Sequence, residues 1–564
     1  MKIVLVGPGA DGGASGQTEV TAAALHMLAE SGVAEVTLIA QDPDAVHSHF
    51  GLPAVPRVFG ADASLGDDER TVHLRKVIDS ARGRITDIDI DDPIFDLINA
   101  IAGAKALVIT TDVIPGSLRP SALYEYAALS ELAKLFSRPV FLSAQVIDTA
   151  LTELHRELLA ETLNRCALVG IASGPSRAFA QTLLQDKSRL RHTVEDAIVL
   201  DDHAPAERPS TPYCAVAIDP PHDATEAGIA ADDLARLLDH VIAETDLDVV
   251  LVPGRPSGTT AEQRAADNRW RTRVASRLTA GGRASAAPSR GGVTDTARIV
   301  RNASVAISTE ALPLAYAVSG AVPAIGIYDD LPTREHMTAI LGAAGQAKYA
   351  LPAVSVSSGH AALAFDRLWK TRSAVAKTLA RQNAPLARVS HAWWADVAAI
   401  LNDEKRPAIV TATPPAEEPF PPALADALAA LTARQHHTSE AATTRELDLQ
   451  ALQNRAEADA SEALQLERKL AESQATVSEL EYRLTVSAAA LKAGQELASR
   501  MAEPLFSNEL RPPAAPLAQG ELEAQIQALT NTRTFRWTRR ARGAYGKLRR
   551  AAGRVLRRLG LRRR

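Results

Sequence analysis

Over roughly the first 345 residues, short apolar runs alternate with longer alanine- and leucine-rich stretches. The runs fall at 3–6, 36–40, 106–110, 140–147, 167–171 and 197–200, and again at 214–218, 249–252, 304–308 and 324–328. They are rich in Val, Ile and Leu and lack the in–out alternation of half-exposed strands, so they predict strands buried on both faces. The stretches between them, such as 121–136, 232–244 and 261–278, have the length and composition of helices. Alternating elements of this kind predict the α/β class, with parallel sheets covered on both sides. A Pro- and Asp-rich break at 201–212 divides the series. The expectation is two Rossmann-like domains, 1–205 and 206–402, with helices over 346–402 closing the second and a cleft between the two.

The pattern then changes. Six prolines between 406 and 422 mark a linker, placed at 403–422. Over 423–501 the chain is polar and helical, with a seven-residue register. Leu449, Ala456, Ala463, Leu470, Val477, Leu484 and Leu491 share one position, and Leu452, Leu466 and Leu480 alternate with Asp459, Ser473 and Ser487 at the complementary one. Sustained heptads predict a coiled coil, and the polar layers make it a weak one, so a second copy of the chain could pair along 442–494. A second proline-rich linker, 502–520, precedes a tail at 521–564.

Charge sets that tail apart. Residues 533–564 carry fourteen Lys or Arg and no acid, so a chain of net charge −5 holds about −19 over its first 532 residues (−5 − 14). Tyr545, Leu548, Ala552, Val555, Leu556 and Leu559 recur at helical spacing, behind Phe535 and Trp537. A basic amphipathic helix with aromatic anchors suits an anionic membrane surface. Nucleic acid is the disfavoured rival, because phosphate contacts alone need no leucine face. No apolar run in the 564 residues reaches the roughly 18 needed to span a bilayer. The two cysteines, Cys166 and Cys214, sit in apolar runs and read as buried thiols of a reducing compartment. No spacing suggests a metal site, and no cofactor is expected.

Candidate chemistry lies where the strands end. The first strand runs into 7–16, a glycine-rich loop with GxGxxG form but no immediate helix, leading to Gly16 and Gln17. Asp112 follows the strand at 106–110, and Gln145 occupies a comparable place in the run at 140–147. Both are placed for sugar hydroxyls, although Asp112 is equally placed to cap a helix. In the second half, Arg255 follows the strand at 249–252 and offers a fork for a phosphate or carboxylate, with a plain surface arginine as the alternative. Thr309 and Glu310 open a helix after the strand at 304–308, while Arg334 and His336 follow the strand at 324–328. Glu310 and His336 are the catalytic candidates. The others are candidate substrate-binding residues.

The helix–strand run from Val293-Thr294-Asp295 to Ser308, the segment 315–329 with Gly320-Ala321-Val322-Pro323, and 123–147 resemble the polysaccharide pyruvyl transferase family over roughly residues 1–350. The tail's Thr534-Phe535-Arg536-Trp537-Thr538 resembles endings of bacterial envelope glycosyltransferases. The resemblance implies a glycosyltransferase-B-like body and a donor such as phosphoenolpyruvate, or another anionic donor, with a saccharide or lipid-linked saccharide acceptor. It implies a bacterial protein of cell-surface polysaccharide synthesis, cytoplasmic and peripheral at the inner face of the membrane. The family's Arg-x-His falls at Glu310 and Leu312 here, where one side chain repels an anionic donor and the other has no proton to give. Two further expectations therefore stand beside pyruvyl transfer: a catalytically degenerate, membrane-bound scaffold or sugar-binding subunit, and a glycosyltransferase of the B type.

Overall fold

Inner strands of both sheets are apolar runs with no exposed face, which is why they were legible in the chain. The computed structural model describes residues 1–7, 17–40, 42–58, 65–89, 91–110, 113–114, 121–199, 211–218, 229–253, 261–287, 293–404 and 413–502. The chain forms two units, Met1–Glu457 and Ala458–Arg564.

The first lobe of the first unit runs β1 (Lys2–Val6), α1 (Gln17–Glu30), β2 (Glu35–Ala40), α2 (Pro43–Phe50), β3 (Ala54–Pro56), α3 (Asp67–Ala81), α4 (Ile94–Gly103), β4 (Ala106–Ile109), β5 (Val113–Ile114), α5 (Ser121–Leu135), β6 (Val140–Ile147), α6 (Glu153–Arg165), β7 (Leu168–Ile171), α7 (Gly174–Leu183) and β8 (Leu190–His192). The second runs β9 (Tyr213–Ile218), α8 (Ala231–Glu244), β10 (Asp248–Pro253), α9 (Ala261–Arg277), β11 (Ala284–Ala286), α10 (Val293–Arg301), β12 (Val305–Ser308), α11 (Ala311–Ser319), β13 (Ala324–Tyr328), α12 (Leu331–Ala343), β14 (Ala350–Pro352), α13 (Val354–Ser357) and α14 (His360–Leu401). A last helix, α15, spans Pro422–Ala502.

Strand order in the first sheet is β3-β2-β1-β4-β6-β7-β8, with β5 paired to β6. In the second it is β11-β10-β9-β12-β13-β14. Every pairing in both sheets is parallel. The order therefore reverses between β1 and β4 in one lobe and between β9 and β12 in the other, which are the switch points of two doubly wound sheets.

Side chains alternate across each sheet. Val4, Val6, Leu107 and Ile109 enter the core beneath α4 and α5. Ile3, Leu5, Ala106 and Val108 enter the opposite one. In the second sheet, Cys214, Val216 and Ile218 face one core and Tyr213, Ala215 and Ala217 the other. Both cysteines are buried, and burial pushes the Cys166 thiol up to about 12.

Helix α14 links these layers. Ala361, Ala364 and Leu368 pack in a core of the second lobe, and Leu379, Leu386 and Val389 in its other core. Trp393, Trp394, Val397 and Leu401 then join the first sheet's core with Ile3, Leu5 and Phe141. The helix read as closing the second domain thus also roofs the first.

Residues 197–199 of the run at 197–200 are not a strand. They belong to a 3-10 turn, Asp196–Val199. Ala197 and Ile198 are buried because the turn is wedged between lobes, where they share a core with Val20 of α1 and with Ala311 and Leu314 of α11. Asp196 pins the wedge, its Oδ2 accepting from Ser143 Oγ at 2.8 Å and its Oδ1 from Trp394 Nε1 at 3.2 Å.

Residues 413–421, read as linker, lie against the second lobe. Glu417 accepts from the amides of Ala347 and Lys348, and Phe420 meets the Tyr349 ring edge-on at 5.3 Å. Within α15, Leu428 is buried in the same core. In the second unit the described residues are the helical stretch 458–502, where the heptad side chains Leu466, Leu470, Val477, Leu480, Leu484 and Leu491 are exposed. The basic tail, 533–564, lies outside the described residues. Among the described residues, no helix is long and apolar enough to cross a membrane.

Candidate ligand-binding crevice

Two switch points meet at the wedge. Helix α1, entered from the β1 side of the first switch point, packs against the turn Asp196–Val199. So does α11, which leaves β12 at the second. The carboxyl ends of the two central strand pairs therefore converge on this turn, and the space around it is the candidate crevice, because ligands of doubly wound sheets bind at such ends.

On the second lobe, β12 ends in a tight turn. Ser308 Oγ accepts from Glu310 N at 3.0 Å and donates to Glu310 O at 2.7 Å. Thr309 N donates to Ala217 O at 3.0 Å, extending the ladder to β9. Glu310 then stands at the amino end of α11, which has no side-chain cap. Backbone N–H groups at such an end favour negative charge, and the carboxylate beside them is an acceptor for hydroxyls. Thr309 and Glu310 thus lie in the turn between β12 and α11.

The residues after β13 are held by contacts within and between the lobes. Asp330 caps α12, its Oδ1 accepting from Thr333 N at 2.7 Å. Arg334 Nη1 lies 3.3 Å from Glu335 Oε1. His336 Nε2 is 2.8 Å from Glu195 Oε2, a carboxylate 3% exposed. Ser173 Oγ donates to Glu335 Oε2 at 3.1 Å, and Ala339 packs on Ala144, Val146 and Ala172. Helix α12 is therefore an interlobe brace, and His336 is tied to the buried Glu195 within it. Early residues of α15 border the same rim: Gln435 Nε2 donates to Asp329 O at 2.9 Å, and Thr432 bonds Tyr328, whose phenol burial pushes up.

On the first lobe, Gln145 is buried under the crevice. Its Nε2 donates to Thr110 O at 2.6 Å and to Ser143 O at 2.9 Å, so the amide staples β6 to the end of β4. Gln17 opens α1. Gly16, Asp112 and Arg255 lie outside the described residues.

A buried polar cluster at the same end of this sheet escaped the sequence reading. Arg57 leaves β3 and donates from Nη2 to Gly7 O at 2.8 Å. Glu125 Oε1 accepts from Val58 N at 3.2 Å. His155 Nε2 lies 3.1 Å from Asp67 Oδ2, and Arg70 Nη1 lies 3.5 Å from Asp67 Oδ1. A Cβ on Gly7 would stand 2.6 Å from Thr21 Oγ1, so β1 leaves the sheet close against α1 and a larger residue there would displace the threonine hydroxyl. The one sequence signal for this cluster was a lone charge in the apolar run Ala54-Val55-Pro56-Arg57-Val58-Phe59. A groove of about 680 Å³ beside Trp369 and Arg372 lies at the amino ends of β9, β10, β12 and β13, on the edge away from the crevice.

Two doubly wound lobes, opposed at their switch points and strapped by one carboxyl-terminal helix, define the architecture. The fold is glycosyltransferase-B-like. Solved structures of similar fold include a putative UDP-N-acetylglucosamine 2-epimerase from Listeria monocytogenes, with TM-score 0.47 and 12% identity over 74% of this chain and 99% of that one. The spinosyn rhamnosyltransferase SpnG aligns with TM-score 0.41 and 14% identity over 71% of this chain and 100% of its own. MurG from Acinetobacter baumannii aligns with TM-score 0.41 and 12% identity over 72% and 100%. No family model matches the chain, and no curated protein matches it in sequence.

The resemblance to pyruvyl transferases is thereby corrected. The similar solved structures are epimerases and B-type glycosyltransferases. The residue at the family's proton-donor position, Leu312, is a partly buried apolar side chain packed on the α11 core.

Proposed function

We propose that the protein transfers a glycosyl unit from a nucleotide-sugar donor on the second lobe to a saccharide acceptor on the first. The observation that carries this reading is the opposition of the two switch points across the turn Asp196–Val199, with α1 and α11 packed on the same four residues. Each lobe offers its strand ends to the crevice, as a reaction joining two bound substrates requires. At the second switch point, the uncapped amino end of α11 suits a diphosphate, and charge developing on a nucleoside diphosphate leaving group would be stabilised there. Glu310 would accept hydrogen bonds from the donor's hydroxyls.

The test is thermal unfolding of the full chain with UDP, UDP-glucose and UDP-N-acetylglucosamine. Stabilisation by at least one, growing with concentration and absent for uridine, is the expected result. No response to any nucleotide diphosphate at millimolar levels would turn the assignment toward a non-catalytic sugar-binding subunit.

The same reading sets the enzyme on an anionic membrane surface through 533–564, where lipid-linked acceptors reside, with the exposed heptad face paired to a second copy of the chain. Vesicle flotation and sedimentation mass of the full chain, beside a chain ending at residue 532, test both. The full chain should float with anionic vesicles and the shorter one should not, while both sediment above the monomer mass. Equal flotation would remove the membrane role, and a monomer mass the pairing.

A further inference from the structure

Three arginines are buried among the described residues: Arg57, Arg70 and Arg271, at 5%, 2% and 1% exposure. Arg70 faces Asp67 and Arg271 faces Asp267 at 3.1 Å. Arg57 has no carboxylate within ion-pair distance among the described residues, and its Nε has no hydrogen-bond partner. The nearby carboxylate of Glu125 is engaged by the Val58 amide. A buried guanidinium left without a counter-charge is costly, and proteins keep such a group where a ligand supplies the missing charge.

Its place in the fold says where that ligand sits. Arg57 begins just beyond the carboxyl end of β3 and reaches Gly7, just beyond the carboxyl end of β1. Strand β2 lies between them. The guanidinium therefore crosses the mouth of β2 and ends beside the first switch point. Gly7, held against Thr21, fixes the carbonyl that orients it.

We infer that Arg57 forms an oxyanion subsite on the first lobe, which takes a phosphate or carboxylate borne by the sugar acceptor. This rests on the glycosyl-transfer reading for the word acceptor; the oxyanion site itself does not. The planar fork keeps one edge on Gly7 and turns Nε and the remaining amino group toward the incoming oxygens. A neutral sugar would leave the charge uncompensated, so the subsite selects sugars with a negative group.

The experiment is calorimetric titration of the full chain with glucose 1-phosphate, glucuronate and glucose, with UDP as a separate arm reporting on the second lobe. Wild-type protein should bind one or both anionic sugars about tenfold or more tighter than glucose. Arg57→Gln should lose that preference, keep UDP affinity within about twofold, and melt no lower than wild type without ligand, because it removes an unpaired buried charge. Arg57→Lys should keep the fold and part of the preference, which covers the case where the glutamine variant does not fold. Equal wild-type affinity for charged and neutral sugars overturns the inference, as does an anion preference that survives in Arg57→Gln. Absence of UDP binding in wild-type protein counts against the donor reading alone.

Discussion

Trp394→Ala is expected to lower the unfolding free energy of the Met1–Glu457 unit by about 3–5 kcal/mol, the range for truncating a fully buried tryptophan. Trp394 is 1% exposed, and its ring lies with Ile3, Leu5, Leu28 and Phe141 against the first sheet. The same side chain gives its Nε1 proton to Asp196, the residue that pins the interlobe wedge. Alanine would open a cavity and remove a side-chain donor to a buried carboxylate. Trp394→Phe separates the effects. It restores most of the volume, so its cost should fall to about 1.5–3 kcal/mol, the worth of a hydrogen bond to a charged group. Denaturant titration followed by far-ultraviolet dichroism measures both. A loss below 1 kcal/mol for the alanine variant would mean that α14 does not hold the first lobe.

Glu310→Ala should weaken nucleotide-sugar binding by about 10–100-fold, since a carboxylate accepting from ligand hydroxyls is worth roughly 1.5–3 kcal/mol. Glu310→Gln keeps the length and one acceptor oxygen, and should fall between. The sign decides the chemistry. If the ligand presented only phosphate to this turn, removing the carboxylate would relieve repulsion at the amino end of α11, and affinity would rise. The Ser308 turn should survive either change, because Ser308 Oγ bonds the Glu310 backbone. Binding titrations with UDP-sugars give the answer directly, and a gain in affinity would reassign Glu310.

Central strands were legible because they are buried on both sides and leave continuous apolar runs. Edge strands were not. β3, β8, β11 and β14 are three residues each, and three of them carry no buried residue, so nothing in their composition separates them from loop. The turn Asp196–Val199 misled in the opposite direction, since an apolar run reports burial and not conformation. The Gly-Val-Pro similarity to pyruvyl transferases has a packing origin. A Cβ on Gly320 would lie 2.7 Å from the Arg301 backbone, so any tight return from α11 past α10 into β13 asks for glycine there, whatever the chemistry. In the crevice, Thr309 and Glu310 could be placed because they directly follow a central strand. Arg57 could not, because its partner Gly7 is fifty residues away and its significance lies in the lack of a carboxylate partner among the described residues.

The route of α14 bears on how the protein is made. The face of the first sheet formed by Ile3, Leu5 and Phe141 is completed by Trp393, Trp394, Val397 and Leu401. Synthesis proceeds at about 5–20 residues per second, so a nascent first lobe waits roughly 10–40 s for its roof to emerge. During that interval the part of this plane that α1 leaves uncovered faces solvent or a chaperone. Any recombinant fragment cut between the lobes keeps that part bare for good.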